Sequence, residues 1–194
     1  MSFQKFVDGI AKMKNSGSGL MSFNQYVSIG YVISIKSPCN LLVFGLGDES
    51  SHWQNLNRGG KTVFLEDDET WIQKFEDDNL NVHHCEYTTL AKDHEAIRFD
   101  EEKLKLCLPE EVENVDWDIV IVDAPLGHGP PGRPYKGPGR MQSIYAASTL
   151  LKDGGICIVD DCGRLIEAKY SSHYFGKENL INLVEEKVAI YKKQ

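Results

Sequence analysis

Three places in the chain set a carboxylate directly after a short apolar run. Glu66 follows Thr62-Val63-Phe64-Leu65, Asp123 follows Ile119-Val120-Ile121-Val122, and Asp160-Asp161 follows Ile156-Cys157-Ile158-Val159. A carboxylate in such a place can accept hydrogen bonds from sugar hydroxyls, take up a proton or bind a hard cation. A fourth apolar run, Asn40-Leu41-Leu42-Val43-Phe44, stops instead at Gly45-Leu46-Gly47. Glycines there let the backbone turn sharply and approach a ligand closely. Glu66 stands 19 positions after Gly47. Strand, Gly-x-Gly turn, helix, strand and terminal acid make the first half of a nucleotide-binding βαβ unit, with the acid on the ribose hydroxyls. A dinucleotide fingerprint wants a third glycine at position 50, where this chain has Ser50. The pattern therefore fits S-adenosylmethionine enzymes better than nicotinamide enzymes.

The elements that position these groups follow from the runs themselves. Each run is too short for a helix and lacks polar alternation. Each therefore reads as a strand buried on both faces, as in a parallel sheet. Ligands bind outside the carboxyl ends of such strands, so the acids are expected to converge on one crevice. Before the first strand, residues 1–14 suit an amphipathic helix with Phe3, Phe6, Val7 and Ile10 on one side. Ser22 and Gln25 have capping-box spacing and open a second helix that ends before Ser37-Pro38. Further helices are expected over Asp48 to Leu56, from Asp67-Asp68-Glu69-Thr70 through Phe75, and over Arg140 to Leu151, the last ended by Asp153-Gly154-Gly155. Val82 to Thr89 reads as a third strand, and residues 91–115 as a charged surface excursion plus a short strand or helix. Adjacent His83 and His84 would face opposite ways on a strand and cannot share a metal. Leu180 to Val184 and Val188 to Tyr191 suit a closing antiparallel hairpin. The expected fold is α/β, a Rossmann-like core with a mostly parallel central sheet, a C-terminal antiparallel hairpin and helices on both faces. It forms one domain over 1–194, with 1–37 as a helical cap on a 38–194 core.

The loop from Ala124 to Gly139 alternates five glycines with five prolines, and loops of this length are usually functional or disordered. From Ala124 to Lys152 there is no Asp or Glu, while Arg133, Lys136, Arg140 and Lys152 occur. In a chain of net charge −8, a basic loop beside the crevice points to an anionic acceptor. An arginine fork matches a carboxylate with two hydrogen bonds. Arg140 follows Pro138-Gly139, which puts it in the first turn of a helix, where free N–H groups also favour an anion. His128, Asp161 and Asp123 are the candidate bases for deprotonating an acceptor hydroxyl. A divalent metal held by Asp123 and Asp161 would instead acidify that hydroxyl.

The chain's 194 residues suit one domain with a sizeable core. Its acidic balance argues against a nucleic-acid partner. The five cysteines form no Cys-x-x-Cys pair, which suggests reduced, mostly buried thiols. The first residues have no signal-peptide core, and the most apolar stretch, Tyr26 to Ile35, is too short to span a bilayer. The expectation is a soluble, cytoplasmic protein with no membrane partner.

Val43-Phe44-Gly45-Leu46-Gly47, Thr62-Val63-Phe64-Leu65-Glu66-Asp67, Val122-Asp123-Ala124-Pro125 and Pro138-Gly139-Arg140-Met141 together resemble the glucuronoxylan 4-O-methyltransferase family of plant cell-wall enzymes. The resemblance runs from about Ser22 to about Tyr170. It implies a class I methyltransferase fold, S-adenosylmethionine as donor, and methylation of O4 of glucuronic acid. It places Gly45 and Gly47 at the methionine part of the donor, Glu66 at its ribose, Asp123 at the site floor and Arg140 at the acceptor. Two features depart from the family: its Golgi anchor has no counterpart here, and its His-Asp at the fifth strand end is Asp160-Asp161. The alternatives are a methyltransferase for an unrelated small molecule, a non-catalytic S-adenosylmethionine-binding subunit, and a nicotinamide oxidoreductase, which Ser50 and the terminal hairpin disfavour.

Overall fold

The apolar runs come together as one seven-stranded sheet in the computed structural model, which describes residues 1–17, 19–126 and 137–194. Its strands are β1 (Asn40–Phe44), β2 (Lys61–Glu66), β3 (Val82–His84), β4 (Trp117–Val122), β5 (Leu151–Val159), β6 (Leu180–Val184) and β7 (Val188–Lys192). The order is β3-β2-β1-β4-β5-β7-β6. β1 pairs in parallel with β2 and β4, β2 with β3, and β4 with β5, while β7 runs antiparallel between β5 and β6. The order reverses between β1 and β4, so the crevice of a doubly wound sheet opens outside the ends of these two strands.

The continuous apolar runs have a direct cause: both faces of the sheet are covered. Leu42, Phe44, Val63, Leu65, Val120 and Val122 point to one face, and Leu41, Val43, Phe64, Ile119 and Ile121 to the other. Helices α1 (Phe3–Asn15), α2 (Phe23–Lys36) and α3 (Ser50–Leu56) cover the second face through Phe6, Ile10, Tyr26, Ile29 and Trp53. The predicted capping box forms: Ser22 Oγ accepts from Gln25 N, and Gln25 Oε1 accepts from Ser22 N. Helices α8 (Met141–Leu150) and α9 (Leu165–Phe175) cover the first face. Between β2 and β4 lie α4 (Glu69–Lys74) and the short helices α5 (His94–Ile97), α6 (Glu101–Leu104) and α7 (Glu110–Glu113). No helix among the described residues is long and apolar enough to cross a membrane.

Three elements differ from the sequence pattern. The third strand stops at His84, because Thr88 and Thr89 give their N–H groups to the side chain of Gln142 on α8 instead of to β2. Leu151 to Gly155 belong to β5, not to a helix end: Leu151 pairs with Trp117, and the register shifts before Ile156 meets Ile119. Helix α9 occupies a stretch with no expected element, burying Ile166, Tyr170 and Phe175.

Candidate functional site

One half of the crevice is made of backbone. Gly45 adopts φ +118°, a conformation that strains any residue with a Cβ, and a Cβ there would meet Ala124 Cβ at 3.1 Å. Ser50 explains the missing third glycine, since its buried hydroxyl accepts from Gly47 N at 2.9 Å. Glu66, 5% exposed, accepts from Leu46 N at 2.8 Å on one oxygen and from Asp67 N and Asp68 N at 3.0 and 2.9 Å on the other. A carboxylate has about four lone-pair directions, so the Leu46-bonded oxygen keeps one for a further donor. Burial pushes this carboxyl above its ordinary value, and the Asp68 and Leu46 N–H groups oppose the rise.

The other half is made of side chains. Arg140, 5% exposed, is the N-cap residue of α8. Its Nη2 lies 3.1 Å from Asp123 Oδ1 and 2.9 Å from Asp161 Oδ2, its Nη1 lies 3.7 Å from Asp160 Oδ2, and its Nε donates to Pro125 O at 3.4 Å. Arg164 Nη1 reaches Asp161 at 2.9 Å, and Lys187 Nζ lies 3.6 Å from both Asp160 and Asp161. Asp161 holds φ +62°, an uncommon conformation for a residue with a side chain. Burial holds the Asp123 carboxyl well above the usual range; Arg140 opposes this, while Asp160 and Glu49 reinforce it. Carboxylate oxygens of Asp123, Asp160 and Asp161 lie within 4.8 Å of one another, close enough to hold a metal ion. Behind them sits Glu167 of α9, 1% exposed, with neither oxygen hydrogen-bonded among the described residues.

The N-terminal helices touch both halves. Tyr26 donates to Glu49 Oε2 at 3.4 Å, beside the glycine turn. Ser22 Oγ and Asn24 Nδ2 donate to Glu185 at 2.5 and 2.8 Å. Glu185 and Glu186 form the turn before Lys187, both at positive φ, where Asn-Gly is usual.

The expected site residues separate into these two groups. Gly45, Gly47 and Glu66 come together at the β1–β2 end, and Asp123, Asp161 and Arg140 at the β4–β5 end. The Arg140 fork, expected to face an acceptor, meets the chain's own aspartates. Lys152 sits away from the crevice, paired with Asp118 at the start of β4. His128, Arg133 and Lys136 lie outside the described residues. Glu49, Glu167, Arg164 and Lys187 join the site without a motif to announce them. The one local signal is spacing, since Arg164 follows Asp161 by three.

Residues 25–107 and 91–190 match the family model described as IRX15/IRX15L/GXM. Glucuronoxylan 4-O-methyltransferase 2 of Arabidopsis thaliana is 38% identical over 165 residues, covering 72% of this chain and 54% of that protein. Arabinogalactan O-methyltransferase 2 of the same plant is 33% identical over 181 residues, covering 79% of this chain and 60% of that protein. The chain thus spans little more than half the length of the curated relatives it matches. Among solved structures, the Thermus thermophilus 16S rRNA N2 G1207 methyltransferase in complex with AdoMet and guanosine superimposes with a TM-score of 0.55 at 18% identity. The match covers 91% of this chain and 44% of that one. The fold is that of class I methyltransferases, with a mostly parallel sheet and an antiparallel C-terminal hairpin.

Proposed function

Because the chain belongs to the IRX15/IRX15L/GXM family, we propose that it is an S-adenosylmethionine-dependent O-methyltransferase acting on a saccharide, with a glucuronate residue methylated at O4 as the acceptor. Both relatives described above are named as methyltransferases of plant polysaccharides, and one name specifies O4 of a glucuronoxylan. The observation that carries the reading is the meeting of a Gly-x-Gly turn and a buried ribose acid with a cluster of aspartates across one switch point.

The residues fit the donor. Gly45 and Gly47 leave the turn open to its methionine part, and the free lone pair of Glu66 suits a ribose hydroxyl. When bound, S-adenosylmethionine supplies a methyl group already activated for displacement. The chain's task is then positioning and proton removal. Asp123 takes the hydroxyl proton, and its raised carboxyl makes it a stronger base than an exposed aspartate. Arg140 fixes Asp123 and Asp161 relative to each other. Asp161 and His128 are the other proton acceptors, and Arg133 and Lys136 of the basic loop are the cations proposed to hold the acceptor's carboxylate.

A divalent cation held by Asp123 and Asp161 is the second route, favoured by the spacing of their oxygens; it requires the Arg140 fork to move from between them. Activity surviving exhaustive chelation would reject this route, and full activity in both Asp→Asn variants would reject the aspartates' role altogether. The cysteine pattern, with Cys39, Cys85 and Cys157 buried as thiols, supports a reducing setting such as the cytoplasm.

Labelled donor with a glucuronoside and with the matching neutral glucoside tests the acceptor. Faster methylation of the glucuronoside is expected. Equal rates would show that no carboxylate is read, and turnover of neither would leave a donor-binding subunit.

A further inference from the structure

Glu49 has no role in the reading above, yet it stands where the two halves of the crevice meet. It is the N-cap residue of α3, but its side chain makes no capping hydrogen bond. Its carboxylate folds back over the glycine turn instead, so that a Cβ on Gly47 would meet both of its oxygens. Among the described residues its polar contact to a side chain is the Tyr26 hydroxyl at 3.4 Å, a long hydrogen bond from an uncharged donor.

The charges around it have the wrong sign. Its neighbour Asp48 is paired with Lys74 at 2.7 Å, but no ion pair involves Glu49 among the described residues. Arg140, Arg164 and Lys187 all face Asp123, Asp160 or Asp161. Burial pushes the Glu49 carboxyl up, with Asp48 and Asp160 adding to the rise and its own backbone N–H and the Tyr26 hydroxyl opposing it. A half-buried carboxylate with no opposite charge beside it is costly, and a ligand bringing that charge removes the cost. The proposed donor carries two cations in its methionine half, a sulfonium and an α-ammonium.

We propose that Glu49 is the counter-charge for a cation of the donor's methionine half, and that Tyr26 holds its carboxylate over the Gly45–Gly47 turn. This rests on the donor reading given above. It assigns the N-terminal helices a share in donor binding, since Tyr26 belongs to α2.

Calorimetry on the intact chain tests it with two ligands. S-adenosylmethionine carries both cations, whereas S-adenosylhomocysteine keeps the ammonium and lacks the sulfonium. Glu49→Gln is near-isosteric and should bind S-adenosylmethionine about 10- to 100-fold more weakly, the range for a lost hydrogen bond to a charged group. An equal loss for both ligands identifies the ammonium as the partner, and a larger loss for S-adenosylmethionine identifies the sulfonium. Unchanged affinity for both in a folded variant would overturn the role of Glu49 while leaving the donor reading intact. A wild-type chain that binds neither ligand would overturn the donor reading and this inference with it. Should Glu49→Gln not fold, Glu49→Asp carries the same test. Its charge is retracted by one methylene, so a loss of affinity is expected, and full affinity would overturn the proposal.

Discussion

The two halves of the crevice are built by different means. At the β1–β2 end, the backbone makes the site: a glycine at φ +118°, and a glutamate held by three main-chain N–H groups. At the β4–β5 end, side chains from α8, α9 and the β6–β7 turn converge on Asp123, Asp160 and Asp161. The first half resists change through local geometry. The second balances buried charges brought from distant segments, so removing one leaves the others uncompensated.

The largest expected effect breaks this balance. Arg140→Met should lower stability by about 3–5 kcal/mol, as for removal of one partner of a buried ion pair. For a chain of this size that is a fall in melting midpoint of roughly 6–20 °C. A loss under about 1 kcal/mol would show that the aspartates do not depend on their guanidinium. Arg140→Lys keeps the charge and loses the fork, so a smaller stability loss with clearly impaired turnover is expected.

In the backbone half, Glu66→Ala should show first in ligand affinity. Calorimetric donor binding should weaken by about 1.5–3 kcal/mol, the range for hydrogen bonds to a charged group. An unaltered affinity in the folded variant would remove Glu66 from the ribose. Gly45→Ala tests geometry alone, and strain at its positive φ should cost about 1–3 kcal/mol in a denaturant melt.

A pH series sharpens the contrast at the smallest scale. Burial raises the carboxyls of Glu49, Glu66, Asp123 and Glu167. The unfolded chain releases these protons near pH 4, whereas the folded chain holds them to higher pH. Stability from these groups is therefore full below about pH 4 and declines as pH rises through the raised values. Glu49→Gln should remove part of this decline. Its unliganded melting midpoint should exceed the wild type's by a few degrees at pH 8, where about 1 kcal/mol corresponds to roughly 2–4 °C, and by less at pH 5. A gain that does not grow with pH would mean that Glu49 is not an uncompensated charge.

The same contrast decides what the sequence made legible. The parallel strands, the glycine turn, Glu66 and the terminal hairpin are written in contiguous residues, because apolar runs and glycines act on their own neighbourhood. The end of β3 was not legible, since Gln142, 53 positions from Thr89, draws the backbone away from the sheet. Nor were the partners of Arg140. Composition shows a basic loop without acids, but only the fold turns Arg140 inward onto Asp123 and Asp161 and carries Lys152 to Asp118. Glu49 carries no motif at all, and its place depends on where Tyr26 of α2 comes to rest.

The clasp between α2 and the hairpin turn also sets an order in time. Ser22 and Asn24 reach Glu185 across 163 and 161 positions of chain. During synthesis at roughly 5–20 residues per second, Ser22 exists for about 8–30 s before Glu185 is made. Until then, α1 and α2 can pack on the first strands, but the side of the crevice bounded by Lys187 has nothing to close against. Contacts of such separation reward loop closure last, so the nascent chain completes its glycine turn early and acquires the far wall of its crevice only as the β6–β7 hairpin emerges.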